Sequence, residues 1–108
     1  MTASNRELLK GSLDLMVLTL LENEPMYGYQ MVKEVKQRSN DTLQLKEGSL
    51  YPALHRLEQA GLIESFWQAR DQGVNRRYYQ LTAKGREVLP ERQAAWHEFV
   101  KGVRGVLG

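Results

Sequence analysis

The sequence predicts a mainly α fold with one small β-hairpin, and three observations carry that reading. Apolar residues recur at spacings of three and four through most of the first sixty positions, as on helices with one buried face. The runs "LIESFW" and "RRYYQL" are strand candidates, and the "QARDQGVN" between them holds the Gly and Asn of a hairpin turn. Helical spacing then resumes and continues to the last residues. No repeat, low-complexity tract or linker interrupts the chain, so the elements are expected to pack as one unit.

Size and composition set the frame. A chain of 108 residues fits one domain. Roughly two thirds of its unfolded surface can be buried at this length, so a lone core is marginal and a dimer would help. With 42% hydrophobic and 26% charged residues the composition is that of an ordinary globular protein. Cysteine is absent, which excludes disulfides and thiolate metal sites and suits a reducing cytoplasm. The apolar stretch Leu13–Leu21 is too short to span a membrane, carries Asp14 and leads into "ENEPMYGY" with no small-residue cleavage site. It reads as a buried core helix. A net charge of +2 says little, but its distribution says more. Between Trp67 and Arg86 stand Arg70, Arg76, Arg77, Lys84 and Arg86 against a single Asp71.

The first helix is expected from Gly11 or Ser12 to Asn23, closed by Pro25. It is apolar on nearly every side and must be covered on more than one. The stripe Leu8, Ser12, Leu15, Thr19 is left over for a second cover. A second helix is expected over 28–39, followed by a break at "SNDTL" and a short extended piece at Leu43 and Leu45. In the third helix, "EGSLYPALHRLEQAGLIESFW", Ser49 reads as the N-cap, Pro52 as a first-turn residue and Gly61 as the left-handed stop. Leu50, Ala53, Leu54, Leu57 and Ala60 form the core stripe. Tyr51, His55 and Gln59 stack four apart on the other side, with Pro52 and Arg56 beside them. After the hairpin, Thr82 is expected to cap a helix in which Pro90 makes a kink or opens a separate last helix. Trp96, Val100, Val103 and Leu107 then form an apolar seam, with Phe99 alongside.

Catalysis finds little support. There is no Gly-rich phosphate loop or nucleophile elbow, and His55 and His97 have no partner at metal-ligand spacing. No catalytic residue, metal site or cofactor is expected. The order helix, helix, helix, hairpin, helix is that of a winged helix-turn-helix, residues 1–86, with a C-terminal dimerisation helix, residues 87–108. In such folds the third helix enters a major groove and basic residues of the hairpin meet the flanking phosphates. Ser49, Tyr51, Pro52, His55, Arg56 and Gln59 are the candidate groove residues, and Arg70, Arg76 and Arg77 the candidate wing contacts. A polar face on one helix is usually only solvated, and "RRYY" alone is usually an ordinary strand; their combination is what points to double-stranded DNA. The competing reading is a winged-helix module for protein–protein contact, which the basic hairpin disfavours.

The chain also resembles the PadR family of bacterial transcriptional regulators over almost its whole length. The resemblance rests on "LLKGSLDLMVLTLL", "YGYQM", "EGSLYPALHRLEQAGLIESFW", "RRYYQLTAKG" and Trp96. The chain is similar to the short class without a large C-terminal domain. It departs from the commonest pattern at the wing tip "QGVN" and at Pro90. The resemblance implies a homodimer in which the terminal helix packs on the partner's first helix, a match to the uncovered stripe and seam. Leu15, Trp96, Phe99, Val100, Val103 and Leu107 would then lie at the interface. It further implies repression at an inverted-repeat operator, relieved by an effector. Some relatives stack flat aromatic compounds on the last-helix tryptophan; here Trp96, with Leu8, Ser12 and Leu15 as walls, is the corresponding place.

Overall fold

Four helices and a three-stranded antiparallel sheet make up the computed structural model, which describes residues 3–69, 73 and 75–108, with the backbone alone for residues 3–7, 10 and 11. In chain order these are α1 (Ala3–Leu20), β1 (Met26–Tyr27), α2 (Gly28–Arg38), α3 (Glu47–Gln59), β2 (Ile63–Gln68), β3 (Arg76–Leu81) and α4 (Ala83–Leu107).

Helix α1 starts and ends earlier than the expected 11–23. Leu9, 7% exposed, continues the buried row of Leu13 and Val17 one turn towards the N-terminus, so the apolar face holds the helix past Gly11. At the other end the Glu22 N–H turns back to the Thr19 carbonyl at 3.1 Å, and Pro25 lies beyond a helix already finished. Leu13, Val17, Leu18, Leu20 and Leu21 are all buried. The helix packs on α2, α3 and α4, as an all-round apolar helix requires.

Helix α2 stops because Asn40 and Asp41 turn left-handed, with φ of 53° and 64°. The Asn40 and Asp41 N–H groups donate to the Gln37 and Lys36 carbonyls at 3.1 and 2.9 Å, the paired bonds of a Schellman ending. Leu45 is buried after it, but residues 43 and 45 join no strand.

Helix α3 begins two residues before the expected cap. Ser49 is its third residue and donates its N–H to the Lys46 carbonyl at 3.0 Å; Lys46 is the N-cap and offers no side-chain bond. Burial of Leu45 anchors the chain just ahead of Glu47, whose carboxylate suits the positive end of the helix. Pro52 therefore falls in the second turn, where it has no N–H to give the Gly48 carbonyl. Leu50, Ala53, Leu54 and Leu57 are buried as expected, but Ala60 is exposed because the helix ends at Gln59 and Ala60 is its C-cap. Gly61 at φ 76° forms the stop: its N–H reaches the Glu58 carbonyl at 2.9 Å and the Leu62 N–H reaches Leu57 at 3.0 Å.

The hairpin has the expected strands, paired from Ile63↔Leu81 to Gln68↔Arg76. The third strand, β1, is an addition. Met26 and Tyr27 pair with Tyr79 and Tyr78, giving the order β1-β3-β2. Two residues are too few to display an alternating pattern, so this strand was not legible.

Thr82 caps α4, accepting from the Gly85 N–H at 3.1 Å. The helix runs on through Pro90 to Leu107, so Pro90 opens no separate helix; it only forfeits the bond to the Arg86 carbonyl. The point dividing residues 1–86 from 87–108 falls inside α4. The first part of α4 buries Gly85 and Leu89 against the core, and the later part stands clear. The radius of gyration is 15.0 Å, against about 13 Å for a compact chain of this length.

Thr82 does a second job: its hydroxyl donates to the Gly61 carbonyl at 2.6 Å. Replacing Thr82 by Ala is expected to lower stability by about 1–2 kcal/mol in urea unfolding, while Thr82→Ser keeps most of it.

Candidate nucleic-acid interface

The core leaves one side of α3 open. Tyr51, 46% exposed, Pro52, His55 and Gln59 all face away from the leucine stripe. Tyr51 is held from behind. A Cβ on Gly28 would sit 2.5 Å from the Tyr51 hydroxyl, so glycine at the start of α2 is what lets the phenol lie against that helix. Ser49 is exposed in the first turn. Arg56 belongs to this side too, yet its guanidinium donates to Asp14 of α1 at 2.9 Å.

The wing is tied to α3 through Glu58. One carboxylate oxygen accepts from the Ser65 hydroxyl at 3.0 Å, and the other from the Arg77 guanidinium at 3.2 Å. Arg77 also lies over the ring of Tyr79. Burial pushes the Tyr79 hydroxyl above the ordinary tyrosine value, with the Arg77 charge pulling the other way. Arg76 lies on the opposite sheet face, 4.1 Å over the Tyr27 ring. Tyr27 meets Tyr78 edge-on at 5.3 Å, and Phe66 stacks on Tyr78 at 5.7 Å. The expected wing contact Arg70 lies outside the described residues.

At the far end, α4 exposes large apolar side chains among charged ones: Phe99 is 69% exposed, Val106 87% and Leu107 78%. Trp96 and Val103 are partly covered at 38% each, and Val100 is half-buried. Leu8 of α1 is 73% exposed. Leu8, Ser12, Leu15, Trp96 and Phe99 line one open cavity of about 660 Å³. A second, of about 340 Å³, shares Leu15 and Trp96 and is rimmed by Arg38, Gln93 and His97. The four residues named from the sequence for an effector thus fall together. Among the described residues no group of His, Asp or Glu could hold a metal ion, and no helix is long and apolar enough to cross a membrane.

Three residues that matter here were not singled out from the sequence. Asp14 and Glu58 pair with arginines 42 and 19 positions away, a relation that no local pattern carries. Trp67 is 66% exposed on β2, and its pairing opposite Arg77 follows once the hairpin register is known.

A short three-helix core, an open polar and aromatic third helix, and a basic two-stranded wing beside it define a winged-helix DNA-binding protein. Comparison with known proteins carries this further. Residues 17–91 match the Transcriptional regulator PadR-like family, and the chain belongs to that family. It is 32% identical over 100 residues to the transcriptional regulator Rv3488 of Mycobacterium tuberculosis, covering 93% of this chain and 90% of that protein. Among solved structures it is similar to a transcriptional regulator from Clostridium thermocellum, with a TM-score of 0.85 at 26% identity over 94% of this chain and 99% of the other. A PadR-like transcriptional regulator from Bacillus cereus gives a TM-score of 0.79 at 33% identity, covering 94% and 96%. The protein is therefore a DNA-binding transcriptional regulator and not an enzyme.

Proposed function

We propose that the chain acts in the bacterial cytoplasm as a homodimeric repressor that binds an inverted-repeat operator and is released by a small flat aromatic effector. The observation that carries the DNA half is the open face of α3, with Tyr51, His55 and Gln59 presented beside the wing. Tyr51 and His55 reach base edges, Ser49 and Pro52 seat the helix on the backbone, and Arg56, Arg76 and Arg77 meet phosphates. Exchanging an exposed internal ion pair for a phosphate is inexpensive, because such pairs contribute about 0–1 kcal/mol. In a gel-shift titration, Tyr51→Ala with His55→Ala is expected to lower operator affinity by about 1–3 kcal/mol for each side chain that reads a base. Arg76→Ala and Arg77→Ala are expected to weaken all DNA alike, with the salt slope falling by about one unit for each arginine removed. Unchanged operator affinity in the Tyr51/His55 double variant would refute the α3 assignment.

The dimer half rests on two uncovered apolar surfaces of one chain, the α1 stripe at Leu8 and the α4 seam from Trp96 to Leu107. Packing α4 of each copy on α1 of the other covers both with a single two-fold operation and roofs the cavity at Trp96. Operator half-sites about one helical turn apart then follow from the symmetry. Sedimentation at micromolar concentration is expected to give a dimer. A monomer there would remove both the dimer and the palindrome.

For the effector, two symmetry-related Trp96 rings sandwich a planar molecule, with Ser12 and Leu15 as walls. Stacking contributes about 0.5–1.5 kcal/mol beyond burial. Release of DNA requires that the ligand bind two dimer arrangements unequally. Titrating an aromatic panel against wild type and Trp96→Phe is expected to show quenching and weakened operator binding in the wild type only. Equal quenching in both proteins would leave Trp96 as packing alone.

A further inference from the structure

Trp67 is 66% exposed, more than any other aromatic residue of the sheet. Side chains alternate along β2, so Trp67 shares a face with Ile63 and Ser65. That is the face α3 covers, since Ile63 is buried and Ser65 bonds Glu58 of α3. The cover from α3 reaches Ser65 through Glu58, and Trp67 lies one step further out on the same face. Directly across the ladder stands Arg77. Side chains paired in this way sit about 5 Å apart at Cβ, so Trp67 and Arg77 are neighbours on one face, with the Arg77 guanidinium turned towards Glu58 and the Tyr79 ring.

The other aromatics of the hairpin are accounted for. Phe66 stacks on Tyr78 and Tyr27 meets Tyr78 edge-on across the opposite face, and Arg76 lies over Tyr27. Among the described residues no ring stacks on Trp67. A flat apolar surface with one N–H donor beside a cation matches the sugar–phosphate backbone, whose deoxyribose is apolar and whose phosphate accepts and is negative. The position matches as well: Glu58 sits to the side of the Tyr51–His55–Gln59 row, so the patch flanks the groove-reading face instead of extending it. Contacts there set position and carry no base sequence.

We propose that Trp67 and Arg77 form a backbone clamp on DNA. The indole packs on a deoxyribose with its Nε1–H donating to a phosphate oxygen, and Arg77 leaves Glu58 for the adjoining phosphate. The proposal rests on the DNA-binding reading of α3 and adds a residue class, an aromatic, to a wing otherwise read as arginines alone.

In Trp96→Phe protein, Trp67 is the single tryptophan, and its emission reports the clamp directly. Addition of the protein's own upstream duplex, and of a mixed-sequence duplex, is expected to quench or shift that emission, reversibly with added salt. Relative to wild type, Trp67→Ala is expected to weaken both duplexes by a similar factor of roughly ten, the range for truncating an aromatic anchor, with thermal stability retained because the side chain is exposed. Glu58→Gln keeps a partner for Ser65 and frees Arg77, so it is expected to strengthen mixed-sequence binding. Emission unchanged while a gel shift shows bound DNA overturns the clamp and leaves the α3 assignment standing. So does a Trp67→Ala variant with unaltered affinity, or one whose sedimentation changes instead, which would make Trp67 a contact between copies. Failure of the wild type to shift any duplex overturns the DNA reading and the clamp with it.

Discussion

The end of α3 and the start of α4 are bolted together at one point, and the geometry of the reading surface follows from it. The Gly61 carbonyl accepts from the Thr82 hydroxyl, the Leu62 carbonyl from the Thr82 N–H at 3.1 Å, and the Ala60 carbonyl from Lys84 at 3.2 Å. A Cβ on Gly85 would collide with the Leu62 carbonyl, so α4 begins in direct contact with the turn that ends α3. The carbonyls of the turn that ends α3 are thus satisfied by the start of the next helix in the chain, and the wing is folded between them. Recognition helix, wing base and α4 form one body as a result.

That junction turns α4 into a lever. A helix of 25 residues is about 37 Å long, and only its first turns are fixed to the core. A small change of angle where α4 meets another apolar surface becomes a displacement of several ångströms at α3 in the proposed dimer. Pro90 lies between the fixed part and the apolar seam, where the missing bond to the Arg86 carbonyl makes the helix easiest to bend. A second tie runs in parallel. Asp14 on α1 holds Arg56 on α3, and Leu15, the next residue of α1, lines both cavities at Trp96. The cavities at Trp96 and the open face of α3 are therefore linked through α1 as well as through α4, so an effector of the proposed kind would act on α3 through both.

Much of this was legible in the sequence wherever the signal is local. The leucine stripe of α3, the Gly61 stop, the Thr82 cap and the two hairpin strands depend on residues within a few positions of one another. Where the physics is tertiary, local pattern does not decide the outcome. Ser49 has the right chemistry for a cap, but burial of Leu45 starts the helix earlier and makes it an ordinary first-turn residue. Ala60 fits the stripe by spacing alone and falls outside because the helix stops first. Gly11 and Pro25 look like the limits of α1, yet the Leu9–Leu13–Val17 row carries the helix past the glycine, and a tight turn ends it before the proline. Strand β1 exists only because β3 offers it an edge. Pairings such as Arg56 with Asp14 have no sequence signature at all.

The arginines of the reading side also change meaning once those pairings are known. From the sequence they are free charges, ready for phosphate; in the fold Arg56 and Arg77 already have carboxylate partners and Arg76 covers a tyrosine ring. The arginine side chains of both ion pairs are exposed, with Arg77 at 45% against a half-buried Glu58 at 26%, so in the proposed complex a phosphate would compete for them. The free protein thus keeps its cations oriented without presenting a strong positive field, in line with a net charge of only +2. In the proposed dimer, discrimination between sequences would fall to the orientation of α3 and to how two copies space it, and those are the quantities that the α3–α4 junction and the lever beyond it would control.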